Sequence, residues 1–133
     1  MDHYKLVLPE HLNHYGYLFG GNLLHWIDEI GYIAANLQFP GHEFVTIGLD
    51  NVVFKQSIKL GSILKFDTNL TRLGKTSATY NVKVSCEDRD TGSIAQVFET
   101  NITFVSIDKT GNKKPINEND ADLQDLQQGT IIP

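Results

Sequence analysis

One long helical segment followed by four alternating segments most restricts the fold of this chain. From Gly21 to Gln38 apolar residues recur every three or four positions, which predicts an amphipathic helix, and Phe39-Pro40-Gly41 ends it. Segments 44–54, 63–72, 77–86 and 94–104 then alternate with period two, as half-buried strands do. A short strand at 4–8 precedes Pro9. Because the connections after the helix are short, we expect an antiparallel sheet that buries its apolar face against the helix, an α+β fold.

The alternation also assigns individual side chains to the inward face of the sheet. In 77–86 these are Ala78, Tyr80, Val82, Val84 and Cys86, and in 94–104 they are Ile94, Phe98, Ile102 and Phe104, interleaved with Gln96 and Thr100. Turns are expected at Gly61-Ser62, at Gly74-Lys75 and from Asp88 to Gly92. We expect one domain over residues 1–110 and a polar, weakly ordered tail over 111–133.

Composition and charge exclude several classes of protein. A length of 133 residues suits one domain, and a formal net charge of -5 disfavours nucleic acid as a partner, because phosphate binding needs a basic face. The single cysteine, Cys86, excludes a disulfide framework and a Cys-rich zinc site, and it is expected to be a small core residue. We find no signal-peptide core before Pro9 and no stretch near the roughly 18 apolar residues of a membrane span. We therefore expect a cytoplasmic protein.

The helical wheel singles out one carboxylate. Five residues form the apolar stripe that should face the sheet: Leu23, Ile27, Ile30, Ala34 and Leu37. Asp28 falls on the flank with Gly31 and Ala35, away from the polar stripe. A glycine inside a helix costs about 1 kcal/mol relative to alanine, so Gly31 indicates close approach by another group. The wheel alone leaves two interpretations of Asp28, a solvated charge at the helix edge or a functional carboxylate.

The loop before the helix favours the functional interpretation. Gly16-Tyr17-Leu18-Phe19-Gly20-Gly21 brings free backbone N–H groups to a helix N-terminus, where anions and developing negative charge bind. Consecutive glycines let a ligand reach these groups, although they also suit a tight entry turn. An N–H donor site and an aspartate two turns further along the helix are together more specific than either feature alone.

Other catalytic motifs are missing. The sequence contains no G-x-S-x-G, no P-loop and no G-x-G-x-x-G. His11, His14 and His25 cluster in sequence, but no cysteine or acidic spacing completes a zinc set, so we expect no metal site. Phe39-Pro40-Gly41-His42 is similar to the His-Phe-Pro-Gly run of hot-dog acyl dehydratases, but here the run follows the helix, whereas in those enzymes it precedes it.

A set of motifs resembles the hot-dog-fold acyl-CoA thioesterases. The main run is Leu8-Pro9-x-x-x-Asn13-x-x-Gly16-x-x-Phe19-Gly20-Gly21-x-Leu23-Leu24-x-Trp26-Ile27-Asp28-Glu29-x-Gly31-x-x-Ala34-Ala35. It is followed by Asp50-x-x-x-Phe54, Gly61, Gly74-Lys75-Thr76-Ser77, Thr91-Gly92 and Phe104-Val105-x-Ile107-Asp108. The likeness covers about residues 6–110 and is greatest to the small single-domain bacterial acyl-CoA hydrolases, relatives of the brain-type acyl-CoA hydrolase of animals. The chain departs from the family pattern at Gly31, at Ser62 and at Thr46-Ile47-Gly48.

The resemblance implies a fold, an assembly and a reaction. It implies a five-stranded antiparallel sheet wrapped around one long central helix, in a homodimer whose sheet continues across the interface, with a trimer of such dimers as a further possibility. The implied activity is hydrolysis of acyl-CoA to a carboxylic acid and coenzyme A, with no cofactor. Asp28 would be the general base or nucleophile, Asn13 would face it from the other subunit, and the Gly20-Gly21 turn would supply the oxyanion donor.

Coenzyme A also carries phosphates, which need a binding surface. Gly74-Lys75-Thr76-Ser77 offers backbone N–H groups, two hydroxyls and a cation in one turn, which suits phosphate contact. The same residues also suit an ordinary hairpin turn with a solvated lysine. Phe54 and Arg72 are further candidates for substrate contact, and Lys59 is a weaker one.

Two other functions remain open from the sequence. The first is a non-catalytic module that binds acyl-CoA and regulates a partner. The second is a hot-dog dehydratase or hydratase acting on thioesters, which needs a histidine opposite the helix carboxylate. Asn13 occupies the loop where that histidine is expected, although His11 and His14 lie nearby.

Overall fold

The helix and all five strands predicted from the periodicity form in the computed structural model, which describes residues 1–116. The elements are β1 (Asp2–Leu6), a single 3-10 turn (Pro9–His11), α1 (Gly20–Gln38), β2 (Glu43–Phe54), β3 (Ile63–Leu73), β4 (Ser77–Glu87) and β5 (Ile94–Ile107). The strands make one antiparallel sheet in the order β1-β3-β4-β5-β2. The predicted α+β architecture, five antiparallel strands around one long helix, is confirmed.

The helix packs on the sheet with a slightly different face from the predicted one. Leu23, Ile27, Ile30 and Ala34 are buried as expected, but Leu37 is 60% exposed and its assignment was wrong. After Ala34 the next buried residue of α1 is Gln38, four positions further along. A helix has 3.6 residues per turn, so a buried stripe advances by three or four positions, and at this end of α1 the advance is four. Trp26, Gly31 and Ala35 complete the buried face.

Gly31 allows the close approach that its place in the helix suggested. A Cβ atom at this position would lie 3.0 Å from Cζ of Phe104 and 3.2 Å from Cγ2 of Ile102. Both neighbours are fully buried on β5, so the group that approaches the helix here belongs to the sheet.

Strand β5 departs from strict alternation. Phe98 pairs with Val84 and Gln96 pairs with Ser85, so Val97 is an extra residue in β5. Such a bulge reverses the faces of the residues beyond it. Val97 is buried, whereas Ile94 is 68% exposed, and the inward assignment of Ile94 was therefore wrong. The inward residues of β4, and Phe98, Ile102 and Phe104 of β5, are confirmed apart from the half-buried Cys86.

The beginning of the predicted polar tail pairs with the sheet. Lys113 bridges Ile107, the Lys114 N–H donates to the Ser106 carbonyl, and the N–H of the buried Ile116 donates to the Lys75 carbonyl at 2.8 Å. The rest of the tail, 117–133, lies outside the described residues, so the domain boundary at 110 stays a prediction. Within residues 1–116 no helix is long and apolar enough to cross a bilayer.

Candidate active site

The helix start is held in place without a side-chain cap. The loop before it is fixed by the Leu18 N–H, which donates to the Ile58 carbonyl at 2.8 Å, and by the Phe19 N–H, which donates to the His11 carbonyl. The N-cap residue, Phe19, has no polar side chain, so the N–H groups of Gly20 and Gly21 lack the capping bond that a polar N-cap residue gives. The Phe54 ring lies against Gly20, 3.4 Å from where a Cβ atom would be.

Asn13 is oriented by the same loop. Its Oδ1 atom accepts hydrogen bonds from the N–H groups of Tyr15 at 2.9 Å and Tyr17 at 3.2 Å. Two backbone donors identify the oxygen of the amide, so the Nδ2 group points the other way. Within residues 1–116 this NH2 group donates no hydrogen bond, which makes Asn13 a ready donor to a ligand.

A cleft of about 690 Å³ brings three of the predicted residues together. We call it the helix-start cleft, and its lining includes Asn13, Gly20, Leu23, Phe54 and Ile58. Its wall is more apolar than polar, and Asn13 and Gly20 are part of that wall. The cleft can therefore hold an apolar group and offer hydrogen-bond donors to a polar atom.

Asp28 lies in a different cleft, between α1 and β2. This helix-edge cleft, about 340 Å³, is lined by His25, Asp28, Glu29, Tyr32, Phe44, Val45 and Thr46. The Asp28 carboxylate is half-buried, and its Oδ1 atom accepts a hydrogen bond from the Thr46 hydroxyl at 2.5 Å. The Asp28 side chain is therefore fixed at the edge of the helix, partly accessible to solvent and outside the hydrophobic core.

The two clefts are separate within one chain. Gly20 and Asp28 are eight residues apart on the helix, about 12 Å along its axis. Neither Asn13 nor Gly20 lines the helix-edge cleft. One chain therefore does not bring Asp28 to the donors at the helix start.

The Gly74–Ser77 turn lies at the Asp28 end of the sheet. Thr46 pairs with Phe104, and Phe104 pairs with Ala78, so the turn is two strands from Thr46, roughly 10 Å across the sheet. Phe54 pairs with Phe98, which is six residues along β5 from Phe104. Phe54 is therefore roughly 20 Å from the Asp28 end of the sheet.

Hydrogen bonds hold this turn in shape. The Gly74 N–H donates to the Ser77 carbonyl, and the Thr76 and Lys75 carbonyls accept from Ser106 and Ile116. The Lys75 side chain is exposed, as is that of Arg72 on the end of β3. The turn is therefore a rigid hairpin that presents two cations to solvent.

Both clefts open onto β2, which has an unpaired edge. Strand β2 is twelve residues long and is the last in the strand order. Its apolar side chains are unusually exposed: Val45, Ile47, Val52, Val53 and Phe54 are between 42% and 61% exposed. A long apolar edge with free backbone groups is a surface for pairing with another strand.

Strand β2 contains two irregularities in its pairing with β5. The register shifts between Thr46 and Gly48 and again between Asp50 and Val53, where Asn51 has a φ of 54°. The two extra residues offset each other, so Thr46 and Phe54, eight positions apart, both pair with inward residues of β5. The sequence predicted Phe54 as a site residue but not Thr46. The only indication for Thr46 is that it is a polar residue two positions after Phe44, whose side chain points inward.

The histidines that an alternative function would need are placed elsewhere. His11 packs edge-on against Trp26, with ring centroids 4.8 Å apart, and its Nδ1 accepts the Leu8 N–H. His14 is exposed and stacks on Tyr15. Neither lines the helix-edge cleft with Asp28 or the helix-start cleft with Asn13.

The carboxylates with shifted pKa values lie outside both clefts. Backbone N–H groups of Asp90 and Thr91 lower the pKa of Asp88, and the Thr110 hydroxyl and the Asn112 N–H lower that of Asp108. These two aspartates shape turns. Among residues 1–116 no group of three or more His, Cys, Asp or Glu side chains is arranged to hold a metal ion.

Comparison with known proteins gives consistent matches. Residues 15–93 match the Thioesterase superfamily. A hexameric hotdog-fold thioesterase of Campylobacter jejuni is 33% identical with a TM-score of 0.80, over 88% of this chain and 90% of that one. Protein VdlD of Helicobacter pylori is 31% identical over 110 residues, 83% of this chain, but this chain matches only 61% of that protein's length.

Two structures of an acyl-CoA hydrolase from Staphylococcus aureus are also similar. An aspartate-to-alanine variant is 29% identical with a TM-score of 0.80, over 87% of this chain and 71% of that one. An asparagine-to-alanine variant in complex with coenzyme A is 26% identical with a TM-score of 0.82, over 100% of this chain and 72% of that one.

Proposed function

Because the chain belongs to the Thioesterase superfamily and has its hot-dog fold, we propose that it hydrolyses acyl-CoA to a carboxylic acid and coenzyme A. The observation that carries this proposal is that the helix-edge cleft and the helix-start cleft lie along the same edge strand, β2. We call each of these two clefts a half-site. The Asp28 carboxylate meets β2 at Thr46, and the helix start meets it at Phe54. Each half-site contains what the other lacks, a carboxylate in one and hydrogen-bond donors in the other.

A second copy of the chain completes the site. Pairing of two β2 edges in antiparallel fashion about a twofold axis near Asp50 sets Thr46 of one copy opposite Phe54 of the other. Asp28 of one copy then faces the helix-start cleft of its partner, and the twofold axis makes two such sites. The exposed apolar side chains of β2 are covered by the same pairing.

The relatives support both the assembly and the residues. The C. jejuni thioesterase is hexameric, which is consistent with three such dimers. In the two S. aureus variants the replaced aspartate and asparagine are fifteen residues apart, the same spacing as Asn13 and Asp28. We propose a homodimer as the catalytic unit and a trimer of dimers as the assembly.

The chemistry follows from the groups at this interface. The Asp28 carboxylate deprotonates a water molecule that attacks the thioester carbonyl carbon, or attacks that carbon itself to form an anhydride that water then opens. The Gly20 and Gly21 N–H groups, with the helix dipole behind them, and the Asn13 NH2 group donate to the oxyanion. In the first route the tetrahedral intermediate collapses with cleavage of the C–S bond, and Asp28 returns the proton taken from water to the leaving thiolate. In the second route the thiolate leaves as the anhydride forms, and the water that opens the anhydride releases the proton that balances the thiolate. Loss of one such donor typically costs about 2.7–4 kcal/mol of transition-state stabilisation.

The phosphates of coenzyme A are assigned to the β3–β4 turn. Lys75, Thr76 and Ser77 lie at the Asp28 end of the sheet, with Arg72 beside them. Exposed cations and a rigid turn suit contact with phosphate oxygens. No metal or other cofactor takes part in the proposed reaction, and a cytoplasmic location stays a prediction.

The test is thioester hydrolysis by an Asp28→Asn variant. Release of free thiol from acyl-CoAs of two to sixteen carbons is followed with a thiol-trapping dye. We expect turnover by the natural chain and a loss of about a hundredfold or more in Asp28→Asn, at an unchanged melting temperature. Asn13→Ala should lose at least about tenfold. Asp67→Asn, the same substitution at a carboxylate on β3 that lines neither cleft, is the matched control and should keep full activity.

Three outcomes would contradict the proposal. Turnover of Asp28→Asn at the rate of the natural chain would remove the carboxylate from the mechanism. Tight binding of coenzyme A without any thiol release would indicate a regulatory binding module. Loss of absorbance from an enoyl thioester would indicate a hydratase.

A further inference from the structure

The helix-start cleft is closed on its inner side by the hydrophobic core. Three of its lining residues, Leu18, Leu23 and Ile58, belong to that core and are at most 9% exposed. A bound group cannot go deeper without opening the core, because protein interiors are close-packed. The three side chains carry no hydrogen-bonding atoms, so a polar group pressed against them would lose its hydrogen bonds to water without replacement.

This inner side suits the acyl chain of the substrate better than the pantetheine arm. The pantetheine arm contains amide groups that need hydrogen-bond partners when they are buried, whereas a saturated acyl chain has no polar atoms beyond the thioester. The phosphates of coenzyme A are assigned to the β3–β4 turn of the copy that supplies Asp28. Coenzyme A therefore approaches the thioester from the Asp28 side, and the acyl chain extends into the helix-start cleft of the other copy.

Tyr17 lines this cleft from a backbone that is held on both sides. Its N–H donates to Oδ1 of Asn13 at 3.2 Å, and its carbonyl accepts the Asn13 N–H at 2.7 Å. Tyr17 also forms a β-bridge with Lys59, and the next N–H, that of Leu18, donates to the Ile58 carbonyl at 2.8 Å. The Tyr17 side chain is 40% exposed. Its ring is therefore a wall that cannot retreat by a movement of the backbone.

The other two aromatic residues of the cleft are less suited to limit its length. Tyr15 is 74% exposed and stacks on the exposed His14, so its ring can turn into solvent when a chain meets it. The Phe54 ring lies against Gly20 and packs edge-on against Phe98, with ring centroids 4.6 Å apart. Phe54 is therefore beside the helix start, where the thioester carbonyl binds, and not at the far end of the acyl chain.

We propose that Tyr17 is a specificity-determining residue, whose ring limits the space for the acyl chain and so sets the longest straight-chain acyl group that is used efficiently. This inference rests on the proposed function, because it takes the thioester to lie between Asp28 and the helix start. Each methylene that finds room in the cleft leaves water, which should raise kcat/KM about fourfold. Beyond the limit, further methylenes stay in water or press on the ring, and kcat/KM should stop rising or fall.

The experiment measures kcat/KM across the same series of acyl-CoAs by release of free thiol. Tyr17→Ala should move the maximum to longer chains, with a gain of about fourfold for each methylene that finds new room, and should leave acetyl-CoA hydrolysis unchanged. Tyr17→Trp should move the maximum to shorter chains, and Tyr17→Phe, which keeps the ring, should keep the natural profile. Tyr4→Ala is the matched control, since Tyr4 is an exposed tyrosine of β1 that lines neither cleft. Tyr17 holds Asn13 through backbone atoms only, so these variants keep that contact.

The outcomes separate this inference from the proposed function. An unchanged maximum in Tyr17→Ala and Tyr17→Trp would overturn the role of Tyr17 and keep the thioesterase activity. An equal loss at every chain length in Tyr17→Ala, or the same shift in Tyr4→Ala, would also overturn it. The two variants predict opposite shifts, so either one tests the inference if the melting temperature shows that the other is unstable. Absence of hydrolysis of every acyl-CoA by the natural chain would instead refute the proposed function.

Discussion

Restoration of activity by mixing two inactive variants is the sharpest test of a site shared between subunits. Asp28→Asn removes the carboxylate from both sites of a dimer, and Asn13→Ala removes the donor from both. In a mixed dimer, one site takes Asp28 from the Asn13→Ala chain and Asn13 from the Asp28→Asn chain, so it is intact. The other site carries both changes.

The expected recovery follows from the symmetry. Random exchange makes about half of the dimers mixed, and each has one intact site of two, so about one quarter of the natural activity should return. The same fraction is expected for a trimer of dimers, because each active site is formed by the two chains of one dimer and does not depend on the other dimers. Each parent should retain about 1–10% or less, since each lacks a group worth tenfold or more. The recovered activity should therefore exceed the mean of the parents severalfold.

The measurement is made after co-expression of the two variants with different tags, using the thiol-release assay at equal total protein. A mixture of Asp28→Asn with Asp28→Ala is the control and should stay inactive, because no pairing of these chains contains the carboxylate. Ile47→Lys, which places a charge on the exposed edge of β2, should block recovery by preventing the pairing. Recovery no larger than the mean of the two parents would refute the shared site. It would mean that Asp28 and Asn13 act within one chain despite the 12 Å or so of helix between the two clefts.

Two further predictions concern stability. Gly31→Ala should destabilise the protein by about 1–2 kcal/mol, because the new Cβ would lie 3.0 Å from Phe104 in a fully buried site, and this cost exceeds the helix-propensity gain of about 1 kcal/mol. Thermal unfolding measures it, and a higher melting temperature would show that the ring gives way. Hydrogen bonds from Asn81 and then Gln96 lower the pKa of Glu99, so this carboxylate contributes stability above its ordinary pKa of 4.5 and loses it as pH falls through the lowered value. Asn81→Leu should make the acid loss of unfolding free energy less steep in urea titrations, and an unchanged slope would contradict the assignment.

Local periodicity predicted the elements well and their exact faces less well. The helix predicted at 21–38 begins one residue earlier, at Gly20, and every predicted strand is present. Ile94 was misassigned because a bulge at Val97 reverses the alternation, and an isolated period-two pattern contains no information about an extra residue. Leu37 was misassigned because a helical wheel allows either i+3 or i+4 at the end of a stripe.

The family resemblance pointed to the loop amide Asn13, whereas the sequence by itself predicted the elements, the helix carboxylate Asp28 and the glycine start of the helix. These follow from short-range patterns, since helical phase, turn residues and backbone N–H groups depend on neighbours within a few positions. Only the tertiary structure decided that Asp28 meets Thr46 and that both half-sites open onto one unpaired strand. Those contacts depend on the strand order and on the pairing of β2 with β5, which arise from packing between residues distant in sequence.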